Sequence, residues 1–367
     1  MQTNRGLLVA GLVLGGPVVL RLFAADQNAT AQVAAEIQRI EQAWKTRAPG
    51  DSATAGIAST AQNSLKSAGE ALHSGRLYLA LERLVQAIDL FEGAEELAGK
   101  AGVVQSDMAA FEAEWGRTRQ ELEALSRQVR SRNWGRSPAV IRALTESALG
   151  RSLPLLDGGR GFAVATGPKD GLFYLGEARG QAKFADFCGT LTSVRRKPGW
   201  TARSLLPELL ALQAKADAAF QPPRSIEQHS RFIALNSTIK LARELDSTRS
   251  YHGAFYQYLE AVRHFAMLDT TPVDAARQSE LKAALDAEAG KLAAGRDNSI
   301  RQLFLERAGA QTAHPDGSAP SVDEWRSARA IVTEVLPAYA AAMKSAQPLH
   351  QTKGKTVDIT LVRWPYT

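Results

Sequence analysis

The chain has 367 residues, of which 45% are apolar and 22% charged, a balance typical of a globular protein rather than a disordered one. Its formal net charge of +6 is modest for this length, and no nucleic-acid-binding motif accompanies it, so we expect no nucleic-acid partner. The one cysteine, Cys188, excludes an intramolecular disulfide and a cysteine-rich zinc site. It follows Phe184 and Phe187 on an apolar helix, so we expect a buried, inert thiol.

An uncharged apolar run follows the first basic residue. Arg5 precedes Gly6 to Leu20, and Arg21 and a second apolar stretch to Ala25 come next. A basic start and an apolar core are typical of export signals, and residues 6–25 are also long enough to span a thin bilayer. We therefore expect residues 1–25 to be a signal peptide or a membrane anchor. The expected location is extracytoplasmic, either periplasmic or elsewhere in the cell envelope, with anchoring to the inner membrane left open.

The region 26–152 is predicted to consist of helical hairpins, and its clearest hairpin lies within Ser64 to Leu97. The turn falls at Ser74-Gly75, where glycine can adopt the left-handed conformation that ends a helix. After the turn, apolar residues recur at alternating spacings of four and three, which places them on one helical stripe. The stripe consists of Leu77, Leu81, Leu84, Ile88 and Phe91. Helices joined by so short a turn are expected to pack antiparallel.

This hairpin resembles a tetratricopeptide repeat, because Gly75, Ala80 and Ala87 match the second-helix pattern of that family. Leu175, Gly176 and Ala178 resemble the first-helix pattern in a second stretch. The two matches are out of register: in register with Gly75, the equivalent of Gly176 is Ala68, 108 residues earlier. Three repeats span roughly 102 residues. The resemblance implies repeat-like packing of these hairpins, and a plain helical bundle remains the alternative.

A basic cluster with one tryptophan occupies Arg127 to Arg151. This stretch contains six arginines and one glutamate. The candidate binding residues in it are Arg130, Arg132, Trp134 and Arg136. Such a patch can bind phosphate, anionic lipid or an acidic partner. The alternative interpretation is a solvated helix end.

The remaining chain is divided by glycine and proline. A helix is expected from Pro138 to Leu149, and residues 153–170 are interpreted as a glycine-rich connector with a short strand at 162–166. Residues 171–347 are predicted to form a second helical region. The tail, 348–367, contains an alternating run at 357–362, which we expect to pair as a strand with 162–166. The alternatives are that the tail adds to a sheet of another protein or is a frayed end.

The helix predicted from Ser250 to Leu268 carries the strongest candidate for chemistry. His252, Tyr256, Glu260 and His264 recur every fourth residue, and Glu260 is placed to orient His264 as a general base. The two histidines are separated by about 18 Å of straight helix, so they do not share a metal ion. A polar, partly exposed helix face is the alternative interpretation.

These patterns predict an all-α fold of antiparallel hairpins, stacked as an irregular α-solenoid or an elongated bundle. The expected function is that of an exported helical scaffold that binds a protein or peptide. The alternative is an exported helical enzyme or small-molecule binder that uses the face of His252, Tyr256, Glu260 and His264. No metal or cofactor is expected, since none of the usual motifs is present.

Overall fold

The computed structural model describes residues 27–46, 52–135, 137–191, 199–222, 226, 228–292 and 296–344. The predicted export segment, Arg136 and the tail strand at 357–362 lie outside these ranges. The described chain is all-α, as the sequence predicted. The helices are α1 Gln27–Thr46, α2 Ser52–His73, α3 Leu77–Val104, α4 Met108–Arg130, α5 Ala139–Thr166, α6 Pro168–Cys188, α7 Leu206–Ala219, α8 His229–Ser247, α9 Tyr251–Ala266, α10 Ala275–Gly290, α11 Ser299–Thr312, α12 Val322–Ala330, a π-helical turn Ile331–Val335, and α13 Leu336–Lys344.

The central hairpin forms as predicted. Gly75 adopts φ +72° between α2 and α3, so the turn uses the left-handed conformation that glycine permits. The predicted stripe on α3 is buried, from Leu77 to Phe91, and Ala80 and Ala87 are both fully buried. The structure thus confirms the hairpin, while membership of the tetratricopeptide family stays a prediction.

The predicted connector and strand at 153–170 are wrong. Helix α5 continues without interruption to Thr166, through Pro154 and the glycines that follow it, and α6 begins at Pro168. Burial explains this outcome: Leu156, Gly159 and Ala163 lie on one buried face, with the spacing of a helix. Because 162–166 is helical, it offers no strand edge to the tail.

Helix α6 is the centre of the N-terminal part and packs between α3 and α5. Its approach to α3 is very close, since a Cβ added at Gly176 would lie 2.5 Å from the Cα of Gly93. A Cβ at Gly180 would lie 2.6 Å from the Cα of Asp89. The two stretches that resemble tetratricopeptide repeats therefore lie on the two helices α3 and α6, which pack directly against each other.

The C-terminal part continues the same core rather than starting a separate one. Helix α9 packs against α5 and α8, and α11 packs against α3, α5 and α12. An aromatic stack of Trp200, Phe255 and Tyr339 joins the loop before α7 to α9 and α13, with centroid distances of 4.6 Å and 5.6 Å. One buried apolar cluster accordingly runs from α1 to α13.

At the start of several helices, a backbone N–H donates a hydrogen bond to a carboxyl group that is distant in sequence. The backbone N–H of Leu79 in α3 donates to Glu306 (2.9 Å), and that of Ala139 in α5 donates to Asp297 (2.6 Å). The N–H of Gly253 in α9 donates to Glu146 (2.8 Å), and that of Leu205, just before α7, donates to Asp246 (2.8 Å). These carboxylates satisfy donors that a helix leaves unpaired at its first turn. They thereby fix the relative positions of helices that the sequence pattern alone leaves undetermined.

Candidate functional site

The polar residues predicted on α9 separate into different environments. Tyr256 and Glu260 are buried and face α3 and α11, where they meet Glu82 and Arg307. His252 lies near the start of α9, with its ring against Trp200 at 5.4 Å. His264 lies beside Arg263 (3.4 Å between Nε2 and Nη2), close to Glu260. The structure thus groups Tyr256, Glu260 and His264, whereas His252 contacts Trp200 instead.

Arg307 is the hub of a buried ion-pair network that also contains Glu82, Tyr256, Glu260 and Arg263. Arg307 donates to Oε1 of Glu260 (2.5 Å) and to both carboxylate oxygens of Glu82. Arg263 donates to Oε2 of Glu260 (2.9 Å), and the hydroxyl of Tyr256 donates to Glu82 (2.5 Å). We call these five residues the Arg307 network. It joins α3, α9 and α11.

The charges of this network are fixed by their neighbours. Burial alone would raise the pKa of Glu260, but the guanidinium groups of Arg307 and Arg263 outweigh it and lower the pKa to about 2. Burial would lower the pKa of Arg307. The carboxylates of Glu260 and Glu82 outweigh the effect of burial, so the pKa of Arg307 is raised. Glu260 and Arg307 therefore both stay charged at neutral pH, as a mutually compensated pair.

The two histidines stay neutral at physiological pH. Burial, followed by the nearby charge of Arg263, lowers the pKa of His264 to about 4. Burial, followed by Arg142, lowers the pKa of His252 to about 3. The carboxylate expected to orient His264 has both oxygens bonded to arginines, so the geometry fits a structural role for the network better than acid–base chemistry.

The predicted arginine cluster is partly absorbed into the fold. Arg132 forms an ion pair with Asp186 (2.5 Å) that ties the end of α4 to α6. Trp134 is half-buried against the core, and its indole N–H donates to the carbonyl of Val129 (3.3 Å). Arg130 is exposed at the end of α4. Of the residues singled out in this cluster, Arg132 and Trp134 are therefore engaged within the fold, and Arg130 is exposed.

One candidate binding surface lies in the C-terminal part, and the sequence did not identify it. A groove of about 910 Å³ lies between α7, α8, α9 and the segment from Arg329 to Ala341. We call it the C-terminal groove. Its apolar floor and walls come from Leu212, Phe232, Tyr258, Val262, Phe265, Leu268 and Pro337.

Charged groups line the rim of the C-terminal groove on facing elements. Lys215 on α7 and Glu334 in the π-helical turn are both exposed. Arg329 forms an ion pair with Asp269 (2.8 Å), which closes the end of the groove near the C-terminus of α9. Next to the groove, Phe220 is 43% exposed and its ring packs edge-on against Phe232 at 5.0 Å. The apolar surface thus extends beyond the groove itself.

The π-helical turn shapes one wall. The sequence predicts a kink at Pro337, because proline lacks the N–H that a helix needs there. The structure places the irregularity one turn earlier: the N–H of Leu336 donates to the carbonyl of Ile331, a π-type bond. Such turns occur often at functional sites. This one exposes Thr333 and Glu334 towards the groove.

Neither a metal site nor a reactive thiol emerges from the described residues. Among them, no cluster of three or more His, Cys, Asp or Glu residues has the geometry to hold a metal ion. Cys188 is buried as predicted, and burial raises the pKa of its thiol. None of the helices within the described ranges is both long and apolar enough to cross a membrane.

Comparison with protein-family models, with curated proteins and with solved structures gave no match for the chain. The functional argument consequently rests on the residues themselves.

Proposed function

We propose that the protein is a helical scaffold that binds the apolar face of an amphipathic helix from a partner protein in the C-terminal groove. The observation that carries this proposal is the uncovered apolar floor, in which Val262 and Phe265 of α9 are only partly buried. Contiguous exposed apolar surface with a polar rim is a common mark of an interaction site. Burying it against a partner removes this surface from water.

The walls of the groove favour a helix as the occupant. A peptide that binds as an extended strand needs a sheet edge to pair its backbone donors and acceptors. The groove is lined by helices, whose backbone groups are already bonded within each helix. A helical partner satisfies its own backbone and presents side chains alone. Lys215 on α7 and Glu334 in the π-helical turn add opposite charges to the lining, which favours a helix that carries charged residues beside its apolar face.

Site-specific photo-crosslinking in the native host tests this proposal. We expect a benzoylphenylalanine placed at Ala211 or Ala341, both exposed in the groove, to give a discrete protein adduct. The same probe at Ala113 or Ala287, exposed on α4 and α10, serves as the matched control and should not give that adduct.

A groove-filling variant completes the experiment. Ala266→Trp adds a large side chain to the lining of the groove and is expected to reduce the adduct at Ala341 about tenfold or more, while the helical circular dichroism stays unchanged. Adducts of equal yield at groove and control positions would contradict the proposal. So would an adduct that survives in Ala266→Trp.

We also propose that this scaffold acts outside the cytoplasm, on the basis of Arg5 and the apolar run Gly6 to Leu20. Fusion of residues 1–30 to a reporter that is active only after export tests this part separately. An active reporter supports export. A reporter that stays inactive in the cytoplasm contradicts it, without bearing on the groove.

A further inference from the structure

A second, smaller pocket lies where α2 turns into α3. It has a volume of about 250 Å³ and is enclosed by α2, the first turns of α3, the end of α11 and the loop before α12. In contrast to the C-terminal groove, its lining is dominated by charged side chains. Lys66, Arg76 and Arg83 supply three cationic groups to it.

Arg76 and Arg83 differ from the other half-buried arginines of the described chain. Arg132, Arg263 and Arg307 each have a carboxylate oxygen within 3.0 Å. Among the described residues, Arg76 and Arg83 have no carboxylate within the 4.0 Å of an ion pair. Arg83 donates to the carbonyl of Ser67 (3.0 Å), which leaves most of its five N–H donors for other acceptors.

Burial disfavours the charged form of both Arg76 and Arg83. Burial lowers the pKa of Arg76, and the nearby Glu306 only partly offsets this. Burial also lowers the pKa of Arg83, and the charge of Arg76 adds to that effect while Glu82 opposes it. Two cations that are partly removed from water and repel each other are stabilised by an anion placed between them.

The acidic groups that line the pocket are engaged elsewhere or lie at its mouth. Glu324 accepts hydrogen bonds from the N–H of Ser321 (2.7 Å) and pairs with His314 (2.8 Å), as part of the capping box of α12. Asp316 is exposed and accepts from the N–H of Ser318 (2.9 Å). Glu70 is exposed, with Lys66 at 3.8 Å. The two arginines therefore line the pocket without a carboxylate in direct contact, although Glu306 partly offsets the burial of Arg76, and Glu82 and Glu70 partly offset that of Arg83.

We propose that this pocket binds the phosphate group of a small molecule, or free phosphate, through Arg76 and Arg83, with Lys66 at the rim. A phosphate group offers three acceptor oxygens and a charge near −2. It can therefore accept hydrogen bonds from two guanidinium groups at once, better than a single carboxylate can. The small volume restricts the ligand to a phosphate with a short substituent, since pockets for larger ligands start at about 300 Å³.

Calorimetric titration of the full protein with inorganic phosphate, at constant ionic strength, tests this inference. The wild type is expected to show saturable binding and a phosphate-dependent rise in its thermal midpoint. Arg76→Gln and Arg83→Gln should each weaken binding about tenfold or more, because each loses charge-assisted hydrogen bonds. Arg130→Gln, which changes an exposed arginine at the end of α4, should bind as the wild type does.

Stability in the absence of phosphate separates a binding defect from a folding defect. Because Arg76 and Arg83 repel each other, each variant should melt no lower than the wild type in phosphate-free buffer. Parallel titrations with a short phosphomonoester and with succinate distinguish a substituted ligand from free phosphate and from a carboxylate. Wild-type protein that shows no phosphate-dependent shift would overturn the inference. It would also fail if both variants bind like the wild type, or if succinate binds as tightly as phosphate.

Discussion

Helices α6 and α9 each lie in the middle of their part of the molecule. Close backbone packing holds α6 in place, whereas a buried ion-pair network holds α9. On α6, Gly176 and Gly180 bring its backbone close to that of α3, and α5 covers its other side. On α9, Glu260 anchors one face through the Arg307 network, whereas Val262 and Phe265 face the open groove. The difference guides our proposal: α6 packs against α3, α4 and α5 within this chain, whereas α9 leaves apolar side chains partly exposed in the groove, where we propose that a partner binds.

The largest expected effect comes from removing the anchor of α9. Arg307→Met leaves the carboxylates of Glu82 and Glu260 buried without their main partner. We expect it to lower the free energy of unfolding by about 3–5 kcal/mol, the range seen when one member of a buried pair is removed. Chemical denaturation measures this. Arg277→Met, at an exposed pair on α10, is the matched control and should cost less than about 1 kcal/mol. Equal losses in the two variants would mean that the network does not anchor α9.

The close approach of α6 to α3 predicts the next largest effect. Gly176→Ala places a methyl group against the backbone of α3, so the two helices must separate. We expect a loss of about 1–3 kcal/mol in the free energy of unfolding. Gly158→Ala, on an open face of α5, is the control and should stabilise by about 0.5–1 kcal/mol, because alanine favours a helix over glycine. If Gly176→Ala is also stabilising, the tight packing of α6 is wrong.

A smaller effect is expected in the pH dependence of stability. Burial raises the pKa of Glu306 to about 8, although hydrogen bonds from Leu79 and Gln302 oppose the shift. A carboxyl whose pKa is raised on folding contributes stability that is fully present below its unfolded pKa and is lost as the pH rises through the folded value. Stability should therefore fall between about pH 4.5 and pH 8, by at most about 1.4 kcal/mol per pH unit for this group.

Glu306→Gln tests that assignment, since glutamine keeps an acceptor for the N–H of Leu79 and carries no charge. Denaturation of both proteins at pH 5, 6.5 and 8 should give a shallower decline for the variant. Some decline should remain, because burial also raises the pKa of Glu177, to about 7. Parallel curves for the wild type and the variant would show that Glu306 does not titrate in this range.

The sequence predicts individual helices well and their partners poorly. The stripe from Leu77 to Phe91 and the capping box at Ser321 could be recognised because they depend on residues three or four apart. The extension of α5 to Thr166 was missed, because glycine and proline have low local helix propensity and tertiary burial overrides it.

The sites depend on contacts between distant residues, which no local pattern encodes. Arg307 contacts Glu82 from 225 positions away, and only its place in an apolar helix beside Phe304 hinted at a buried role. The sequence spacing places Val262 and Phe265 on one apolar face of α9. That none of the described helices covers this end of the face followed only from the positions of α7 and α13.

Occupancy of the C-terminal groove in the native host is the central claim, and cysteine accessibility measures it most directly. The one native thiol, Cys188, is buried, and burial raises its pKa, so we expect a single introduced cysteine to react alone. We predict that maleimide labels Ala341→Cys at least about tenfold more slowly in the host than in the purified protein. Ala113→Cys on α4 should label at the same rate in both. Equal labelling of Ala341→Cys in the host and in isolation would contradict the account.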